Sequence, residues 1–296
     1  MSAELVVDAR NATGESPVWS AAEQALYWVD IPAGTLHSWQ PGNGQRREWR
    51  SDQALACIAP AADGSWVAGQ QSGVFSLAPQ ADGSLGSLGS QLLASAAHAR
   101  ANMRFNDGRC DRQGRFWAGS MLQDMVAAAP VGVLYRYSGG QLTAHLEDLI
   151  VPNGLAFSPD GKTLYLSDSH PDVQAIWAFD YDTDTGTPHR RRLWVDMRAH
   201  PGRPDGAAVD ENGCYWICAN DAGLVHCFSP EGRLLRSLAV PVKKPSMCAF
   251  GGAQLDTLFV TSIRPAGVDL ADQPLAGGVF ALQPGVKGLP ETLFAG

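Results

Sequence analysis

Four side chains that carry oxygen atoms occur at similar places in four segments of the sequence. The segments are GESPVWS at Gly14, RFNDGRCD at Arg104, VPNGLAFSP at Val151 and RPDGAAVD at Arg203, and the four side chains are Glu15, Asn106, Asn153 and Asp205. Two carboxylates and two carboxamides, with no Cys or His at the same places, form a set of hard oxygen donors. Such a set suits Ca²⁺, Mg²⁺ or Mn²⁺ better than a metal that prefers sulfur or imidazole.

A divalent cation would also resolve the cost of bringing Glu15 and Asp205 together. Two buried carboxylates without a counter-ion cost several kcal/mol or force one of them to protonate. The alternative is that each of the four side chains caps a turn and bonds to backbone amides, as Asn and Asp often do. Pro204-Asp205-Gly206 is by itself a common turn sequence. The shared position of the four side chains favours one common site.

Side chains so far apart in sequence become neighbours if repeated units bring them to one end of the molecule. A turn followed by a β-rich run recurs six times, and each run contains an aromatic residue at a similar place: Trp28, Trp66, Trp117, Tyr165, Trp216 and Phe259. Their separations of 38, 51, 48, 51 and 43 residues each suit one four-stranded blade. A further strand that ends in a hairpin signal follows each run. We therefore predict an all-β fold, a six-bladed β-propeller with a central channel. An all-β sandwich would leave the six aligned units unexplained.

The propeller prediction also sets the domain organisation. No linker or change in composition divides the chain, so residues 1–296 are expected to form a single six-bladed domain. The strand around Leu5 to Asp8 is expected to complete the last blade. Because the inner strands of different blades begin around one axis, the four oxygen-bearing side chains should become neighbours at one end of the channel.

Composition and charge exclude several classes of partner. A formal net charge of −8 gives no basic surface for nucleic acid or an anionic membrane, and the cluster Arg190 to Arg192 is too short to change this. Neither a secretory leader nor an unbroken run of about 18 apolar residues is evident. The sequence thus predicts a cytoplasmic protein, a monomer or weak homo-oligomer, whose partner is a small molecule.

The six cysteines are scattered, and no two of them form a C-x-x-C unit. Without a secretory signal, reduced and mostly buried thiols are expected. A zinc site built from Cys214 and Cys218 is disfavoured, because positions i and i+4 of a strand share a face without coming close together.

Other polar residues near the expected site carry weaker signals. Arg104 lies two residues from Asn106 and so projects from the same face of a strand, within reach of the expected pocket, although a surface or interblade salt bridge would also explain it. His170 and His200 lie on loops that could border the pocket, and the sequence leaves their roles open. Nucleotide-binding and serine-nucleophile motifs are absent.

The sequence resembles the regucalcin/gluconolactonase family of six-bladed propellers, and the bacterial sugar lactonases in particular. The resemblance spans nearly the whole chain. It is carried by GESPVW at Gly14, RFNDG at Arg104, GRFWAGSM at Gly114, VPNGLAFSPDGKTLY at Val151, RPDGAAVD at Arg203 and PLAGGVFAL at Pro274.

The resemblance implies roles for particular residues. Glu15, Asn153 and Asp205 match the protein ligands of one divalent metal, for which Ca, Zn, Mn, Mg and Fe all remain open. Asp205 also matches the general base. Arg104 and Asn106 match residues that hold the sugar lactone, and Asp107 is a weaker candidate beside them.

One stretch departs from the family pattern. Where several members carry a substrate-contacting Glu, this chain reads GSMLQDM, which puts Gln123 or Asp124 in that neighbourhood. The resemblance therefore indicates the metal site more clearly than it indicates which lactone is the substrate.

The implied activity is metal-dependent hydrolysis of an aldono-1,4- or 1,5-lactone to the aldonic acid. Arabino-, xylono-, galactono- and gluconolactone are candidates, and so is a modified lactone such as a sulfonated hexonolactone. Two alternatives remain: hydrolysis of organophosphates or other esters at the same metal site, and a calcium-binding propeller without turnover. Fold alone does not decide between them.

Overall fold

A computed structural model describes residues 3–80 and 86–296 of the chain. Within these residues the regular structure consists of 24 strands and one three-residue 3-10 helix, Met197–Ala199. No helix in the described ranges is long and apolar enough to cross a membrane.

The strands form six blades of four strands, and each strand is antiparallel to its neighbour within the blade. The inner strands are β2 (Gly14–Ser20), β6 (Leu55–Pro60), β10 (Met103–Cys110), β14 (Pro152–Phe157), β18 (Arg203–Val209) and β22 (Pro245–Gly251). The second strands are β3 (Ala25–Asp30), β7 (Trp66–Gln70), β11 (Phe116–Leu122), β15 (Thr163–Asp168), β19 (Tyr215–Asn220) and β23 (Thr257–Ser262). The third strands are β4 (Thr35–Trp39), β8 (Gly73–Pro79), β12 (Gly132–Ser138), β16 (Ala175–Asp182), β20 (Leu224–Phe228) and β24 (Val279–Leu282). The outer strands are β5 (Arg46–Arg50), β9 (Gly86–Ser95), β13 (Gln141–Leu149), β17 (Thr187–Asp196), β21 (Leu234–Ala239) and β1 (Glu4–Val7).

The ring closes through the N-terminal strand. β1 pairs antiparallel with β24, with Leu5 opposite Phe280, so that the last blade combines the first strand of the chain with its last three. This confirms the predicted six-bladed propeller and the expected role of its first strand. Closure also pairs strands that would otherwise leave an open edge in the final blade.

The recurring aromatic residues all lie on second strands and are buried in the blades. Trp28, Trp117 and Trp216 are fully buried. The turn before the strand explains how Trp216 is held: Oδ1 of Asp210 accepts the backbone N–H of Asn212 and of Cys214 at 2.9 Å, and Oδ2 accepts the indole N–H of Trp216 at 2.9 Å. One carboxylate thus fixes the turn and satisfies a buried polar group of the core.

Neighbouring inner strands approach each other closely at glycines. A Cβ placed on Gly206 would lie 2.3 Å from Cγ of Met247 on the next inner strand. A Cβ on Gly108 would lie 2.5 Å from Sγ of Cys57. A side chain at either point would overlap with the neighbouring inner strand, so glycine allows the close approach.

A β-bulge interrupts each inner strand near the same end of the channel. The register against the second strand shifts between Glu15 and Val18, between Asn153 and Ala156, and between Pro204 and Ala207. The remaining three inner strands shift at corresponding places. Because a bulge re-aims the side chains around it, these irregularities decide where the candidate site residues point.

Candidate active site

Glu15 sits at the bulge of β2 and is anchored by the residue that follows it. Ser16 has a left-handed backbone, with φ of 48°, and its Oγ accepts the backbone N–H of Ile58 on the next inner strand at 3.0 Å. The N–H of Ser16 in turn donates to Oε2 of Glu15 at 3.3 Å. The carboxylate is buried, with 8% of the residue exposed. The contact to Ile58 therefore fixes the backbone from which Glu15 extends.

Asp205 sits at the bulge of β18 and is held by the end of the second strand of its blade. Nδ2 of Asn220 donates to Oδ2 of Asp205 at 2.7 Å, and both residues are buried. Oδ1 of Asn220 faces Nη2 of Arg203 and Nζ of Lys244, each at 3.4 Å. The amide of Asn220 thus lies between a buried carboxylate and two cations.

Asn106 and Asn153 are in direct contact. Nδ2 of Asn106 donates to Oδ1 of Asn153 at 2.9 Å and to the backbone oxygen of Pro152 at 3.0 Å. Oδ1 of Asn106 accepts from Nη1 of Arg104 at 2.8 Å. Nδ2 of Asn153 donates to Oγ of Ser169 at 2.7 Å. Asn106 therefore uses both of its N–H donors to orient Asn153 and the start of β14.

Three carboxylates, those of Glu15, Asp205 and Asp107, lie near one another at this end of the channel. Burial raises the pKa of Glu15 well above its ordinary value, and the nearby charges of Asp205 and Asp107 raise it further. Burial also raises the pKa of Asp205 to about 7, against the lowering effects of the Asn220 hydrogen bond and the Arg203 charge. Arg104 is the cation that acts on Glu15, and burial lowers its own pKa to about 10.

Asp107 adds the third carboxylate, next to Asn106 on β10. Its Oδ2 accepts the backbone N–H of Leu155 at 2.8 Å, whereas its Oδ1 is buried and has no hydrogen-bond partner among the described residues. Burial raises its pKa. A buried carboxylate oxygen without a donor is costly unless a cation or another group compensates it.

This arrangement fits one divalent cation held by oxygen atoms. Glu15, Asn153 and Asp205 supply carboxylate and amide oxygens, which hard cations prefer. Burial raises the pKa values of all three carboxylates in spite of the arginines near them, and a divalent charge would lower the cost of their ionisation.

A belt of hydrogen bonds connects the inner strands around the channel. In each contact a side chain of one blade reaches the backbone of the next inner strand: Asn106 to Pro152, Ser169 to Pro204, Asn220 to Pro245, Ser246 to Gly14 and Ser16 to Ile58. The belt ties neighbouring blades together at the height of the candidate site.

Asn220 and Ser169 were not predicted from the sequence as site residues. The available signal was that second strands end in a polar residue in five of the six blades: Asp30, Gln70, Asp168, Asn220 and Ser262. Gln70 takes the place of Asn220 in the second blade, and both polar atoms of its buried side chain lack a partner among the described residues.

The remaining sequence candidates have no hydrogen bond to the cluster among the described contacts. Gln123 directly follows β11 in an exposed loop, where its backbone N–H donates to the oxygen of Asn102 at 3.0 Å. His170 is held in its own loop, where its ring nitrogen accepts the N–H of Asp172 at 3.3 Å. His200 packs against Phe228, with ring centroids 5.2 Å apart.

All six cysteines are free thiols, as expected. Sγ of Cys214 and of Cys227 lie within 4.8 Å of each other and of a carboxylate oxygen of Asp210. Both oxygens of Asp210 already accept the hydrogen bonds that fix the turn before β19. Cys218 does not belong to this group.

The other end of the channel is covered by the C-terminal segment. Oε1 of Glu291 lies 3.6 Å from Nη2 of Arg109, and Phe294 packs against Tyr137. The charges of Arg109 and Glu291 act on the pKa of Asp107. Asp107 therefore lies between the candidate site and this covered end.

Similar proteins of known structure share this architecture. The family described as SMP-30/Gluconolactonase/LRE-like region matches residues 13–264. The chain belongs to this family. The matched range runs from the residue before β2 to the loop after β23, and it contains every residue of the cluster.

Three members of the SMP-30/gluconolactonase family illustrate its range. The 6-deoxy-6-sulfogluconolactonase of Pseudomonas putida is 40% identical over 296 residues, which cover 99% of this chain and 98% of that protein. Regucalcin of Gallus gallus is 35% identical, with 99% and 98% covered. The crystal structure of a calcium-binding protein, regucalcin, from Agrobacterium tumefaciens has a TM-score of 0.91 at 26% identity, with 99% and 97% covered.

Proposed function

We propose that this protein is a lactonase that hydrolyses a sugar lactone to the aldonic acid with one divalent cation. The observation that carries the proposal is the cluster of Glu15, Asn153 and Asp205 at one end of the channel, in a chain that belongs to the SMP-30/gluconolactonase family. Hydrolysis of a lactone needs a group that polarises the carbonyl and a base that activates water.

The cation site consists of oxygen donors from three inner strands. Glu15, Asn153 and Asp205 would hold the ion, and Asp107 would add negative charge beside them. When bound, the cation supplies Lewis-acid polarisation of the lactone carbonyl. Asn106 and Ser169 fix Asn153 through both ends of its amide, so its oxygen keeps one orientation.

Asp205 is the proposed general base. Burial raises its pKa to about 7 without a cation, and a bound cation would lower it again, so that the ionised carboxylate can accept a proton from water at neutral pH. It would take a proton from the attacking water and deliver one to the ring oxygen that leaves. The hydrogen bond from Asn220 keeps Oδ2 in place during both transfers.

Arg104 and Asn106 would orient the sugar hydroxyls. Holding the lactone in one position makes the attack of water effectively unimolecular. Arg104 donates to both Asn106 and the backbone oxygen of Phe105, so its guanidinium is held at the edge of the cluster. Gln123 would act from the exposed loop after β11.

The relative from Pseudomonas putida narrows the range of candidate substrates. Its name states that it acts on 6-deoxy-6-sulfogluconolactone, and it aligns with the chain over nearly its full length. We therefore propose gluconolactone-type lactones, including the form with a sulfonate on carbon 6, as the substrate class of this protein.

The proposal extends to organisation and compartment. Since β1 completes the blade that holds β22 to β24, the first and last parts of the chain fold as one unit, which supports a single domain. Six free cysteines support a reducing compartment such as the cytoplasm.

The deciding experiment measures proton release in a pH-stat with a panel of sugar lactones, a phosphotriester and an aryl ester. We expect lactone hydrolysis that chelation removes and a divalent cation restores. Asp205→Asn should lower kcat by roughly 100- to 10,000-fold, the range of general acid–base catalysis, while the far-ultraviolet circular dichroism stays that of the native fold.

Other outcomes of this experiment would favour one of the two alternative functions or reject the role of Asp205. Faster turnover of the phosphotriester or the ester than of any lactone would favour the ester hydrolase. Binding of calcium without turnover of any substrate would favour a non-catalytic propeller. Full lactonase activity in Asp205→Asn would show that Asp205 is not the general base.

A further inference from the structure

Two cations and one carboxylate form a group at the rim of the candidate site, which we call the rim triad: Arg203, Lys244 and Asp221. Nε of Arg203 donates to Oδ2 of Asp221 at 2.7 Å, and Nζ of Lys244 forms an ion pair with Oδ1 of the same carboxylate. The two basic side chains are 23% and 27% exposed and that of Asp221 is 44% exposed, so the triad is accessible to solvent. Its formal charge is +1.

The rim triad retains hydrogen-bond donors. A guanidinium has five N–H groups and an ammonium has three. Besides Asp221, the described contacts of Arg203 are the oxygen of Ser169 at 3.2 Å and Oδ1 of Asn220 at 3.4 Å. Lys244 has one further contact, with Oδ1 of Asn220 at 3.4 Å. Within the described contacts, both cations thus keep at least one N–H for a ligand.

A single amide separates the rim triad from the candidate base. Asn220 contacts Asp205 through Nδ2 and the two cations through Oδ1. The path from the Asp205 carboxylate to the cations is therefore on the order of 8 Å, two hydrogen bonds and one amide. The charges of Arg203 and Lys244 also reach Asp205, where they oppose the effect of burial on its pKa.

This path is an upper limit on the straight-line separation, and a six-carbon lactone with a charged group on its terminal carbon is long enough to span it. From the carbonyl oxygen to an anionic group on carbon 6 the distance is on the order of 6 to 8 Å, given bonds of about 1.5 Å. A lactone whose carbonyl lies at the cluster can therefore place its far end at the rim. Sulfonate and phosphate both accept several hydrogen bonds from Arg and Lys.

We propose that Arg203 and Lys244 form a subsite for an anionic group on the end of the lactone remote from its carbonyl. This inference rests on the proposed lactonase function and adds the residues that select its substrate. Asp221 holds the two cations side by side and keeps the rim from carrying two uncompensated charges. An uncharged lactone would leave the subsite filled by solvent and gain nothing from it.

The chain offers a matched control for Lys244. Its neighbour Lys243 is also a surface lysine, but it forms an ion pair with Asp272 and has no contact with Asn220 or Asp221 among the described residues. Lys243→Met and Lys244→Met therefore make the same change in charge and size. Lys244→Met makes it within the rim triad, and Lys243→Met makes it outside the triad.

The experiment compares kcat/KM for gluconolactone, its 6-deoxy-6-sulfo form and its 6-phosphate form in the cation-loaded protein. We expect the wild-type protein to prefer a charged lactone. Lys244→Met should lower the ratio of charged to uncharged kcat/KM by roughly 10- to 100-fold, mainly through KM, as expected for a lost hydrogen bond to a charged group. In Lys243→Met the ratio should change by less than about twofold, because exposed ion pairs contribute little.

Two results would overturn the subsite: a wild-type preference for the uncharged lactone, or equal ratios in the two lysine variants. The sulfonate and phosphate arms distinguish the two anions, and the one with the larger effect identifies the group. If no lactone is hydrolysed, the proposed function fails, and the subsite is then tested by calorimetry with gluconate and its 6-sulfo and 6-phospho forms. Weaker binding of the charged acids to Lys244→Met than to Lys243→Met would support it there, and equal binding would reject it.

Discussion

Nδ2 of Asn220 donates a hydrogen bond to Oδ2 of Asp205 at 2.7 Å, although the two residues are 15 positions apart on adjacent strands. Asn220 is 3% exposed and Asp205 6% exposed, so water competes little for this bond. The amide is the neutral donor that stabilises the ionised form of the proposed base. The relationship makes Asn220 a positioning residue for Asp205.

The first prediction concerns Asn220→Leu, which keeps the volume and removes the donor. We expect kcat for lactone hydrolysis to fall by roughly 10- to 100-fold, with a smaller change in KM, because a buried hydrogen bond to a charged group contributes about 1.5 to 3 kcal/mol. Steady-state kinetics and thermal unfolding should be measured together. The control is Asn11→Leu, since Asn11 is an equally buried amide that bonds to Trp28 and Asp30. Equal losses of kcat in both variants would show that Asn220 supports the fold and has no specific effect on Asp205.

The second prediction concerns Asn106, whose amide holds Asn153 and the start of β14. Asn106→Ala should weaken cation binding as well as raise KM, because Asn153 loses the donor that orients its oxygen. A loss of roughly tenfold in cation affinity is expected, the size of a secondary contact around a metal site. Isothermal titration of the chelated protein measures it. An unchanged cation affinity together with a raised KM would restrict Asn106 to substrate binding.

The third prediction uses the backbone at Gly154, where φ is +60°. A Cβ there would lie 2.4 Å from Oη of Tyr215 and 2.7 Å from Oγ of Ser167. Gly154→Ala should lower the free energy of unfolding by about 2 to 4 kcal/mol, because steric overlap adds to the cost of the left-handed conformation. It should also reduce cation affinity by displacing Asn153.

Gly139 is the matched control for Gly154. Its φ is +56°, and a Cβ there would meet nothing within 4 Å. Gly139→Ala should therefore cost only about 1 kcal/mol, the backbone part alone. Urea unfolding of both variants separates the two contributions. Similar losses in both would show that the site end of β14 adapts to the extra methyl group.

The fourth prediction is the pH dependence of cation binding. In protein freed of cation by chelation, the pKa of Asp205 is raised by burial to about 7 and that of Glu15 is raised as well. Protons therefore compete with the cation below pH 7, and affinity should fall by up to about tenfold per pH unit for each proton displaced. Calorimetry at several pH values, with buffers of different ionisation enthalpy, counts the protons released. Affinity that stays constant from pH 8 to pH 5.5 would contradict the prediction.

The same pKa shifts set the stability of the chelated protein. Native Asp205 keeps its proton up to about pH 7, whereas an unfolded aspartate loses it near its ordinary value of about 4. The native state thus binds more protons between these values, and the free energy of unfolding should fall as the pH rises through this window. Added cation should restore stability at the upper end.

The sequence alone was sufficient for the architecture and for the outline of the candidate site. Six copies of a turn followed by an aromatic strand predict six blades, because each copy is a unit that cannot bury its faces alone and must stack on its neighbours. The equivalent starts of the inner strands were enough to group Glu15, Asn106, Asn153 and Asp205, because closure of the ring brings equivalent positions to one axis.

Only the tertiary structure decided which contacts these residues make. Asn106 and Asn153 lie 47 positions apart and belong to adjacent blades, and their hydrogen bond depends on how closely those blades pack. Asn220, Arg203 and Lys244 come together from three separate strands or strand edges around Asp221. Gln123, predicted to contact the substrate from its place after a motif, lies on an exposed loop, and its role stays a prediction. Local sequence determines periodicity and turn chemistry, but bulges at each inner strand re-aim the side chains, and packing between blades then selects which of them meet.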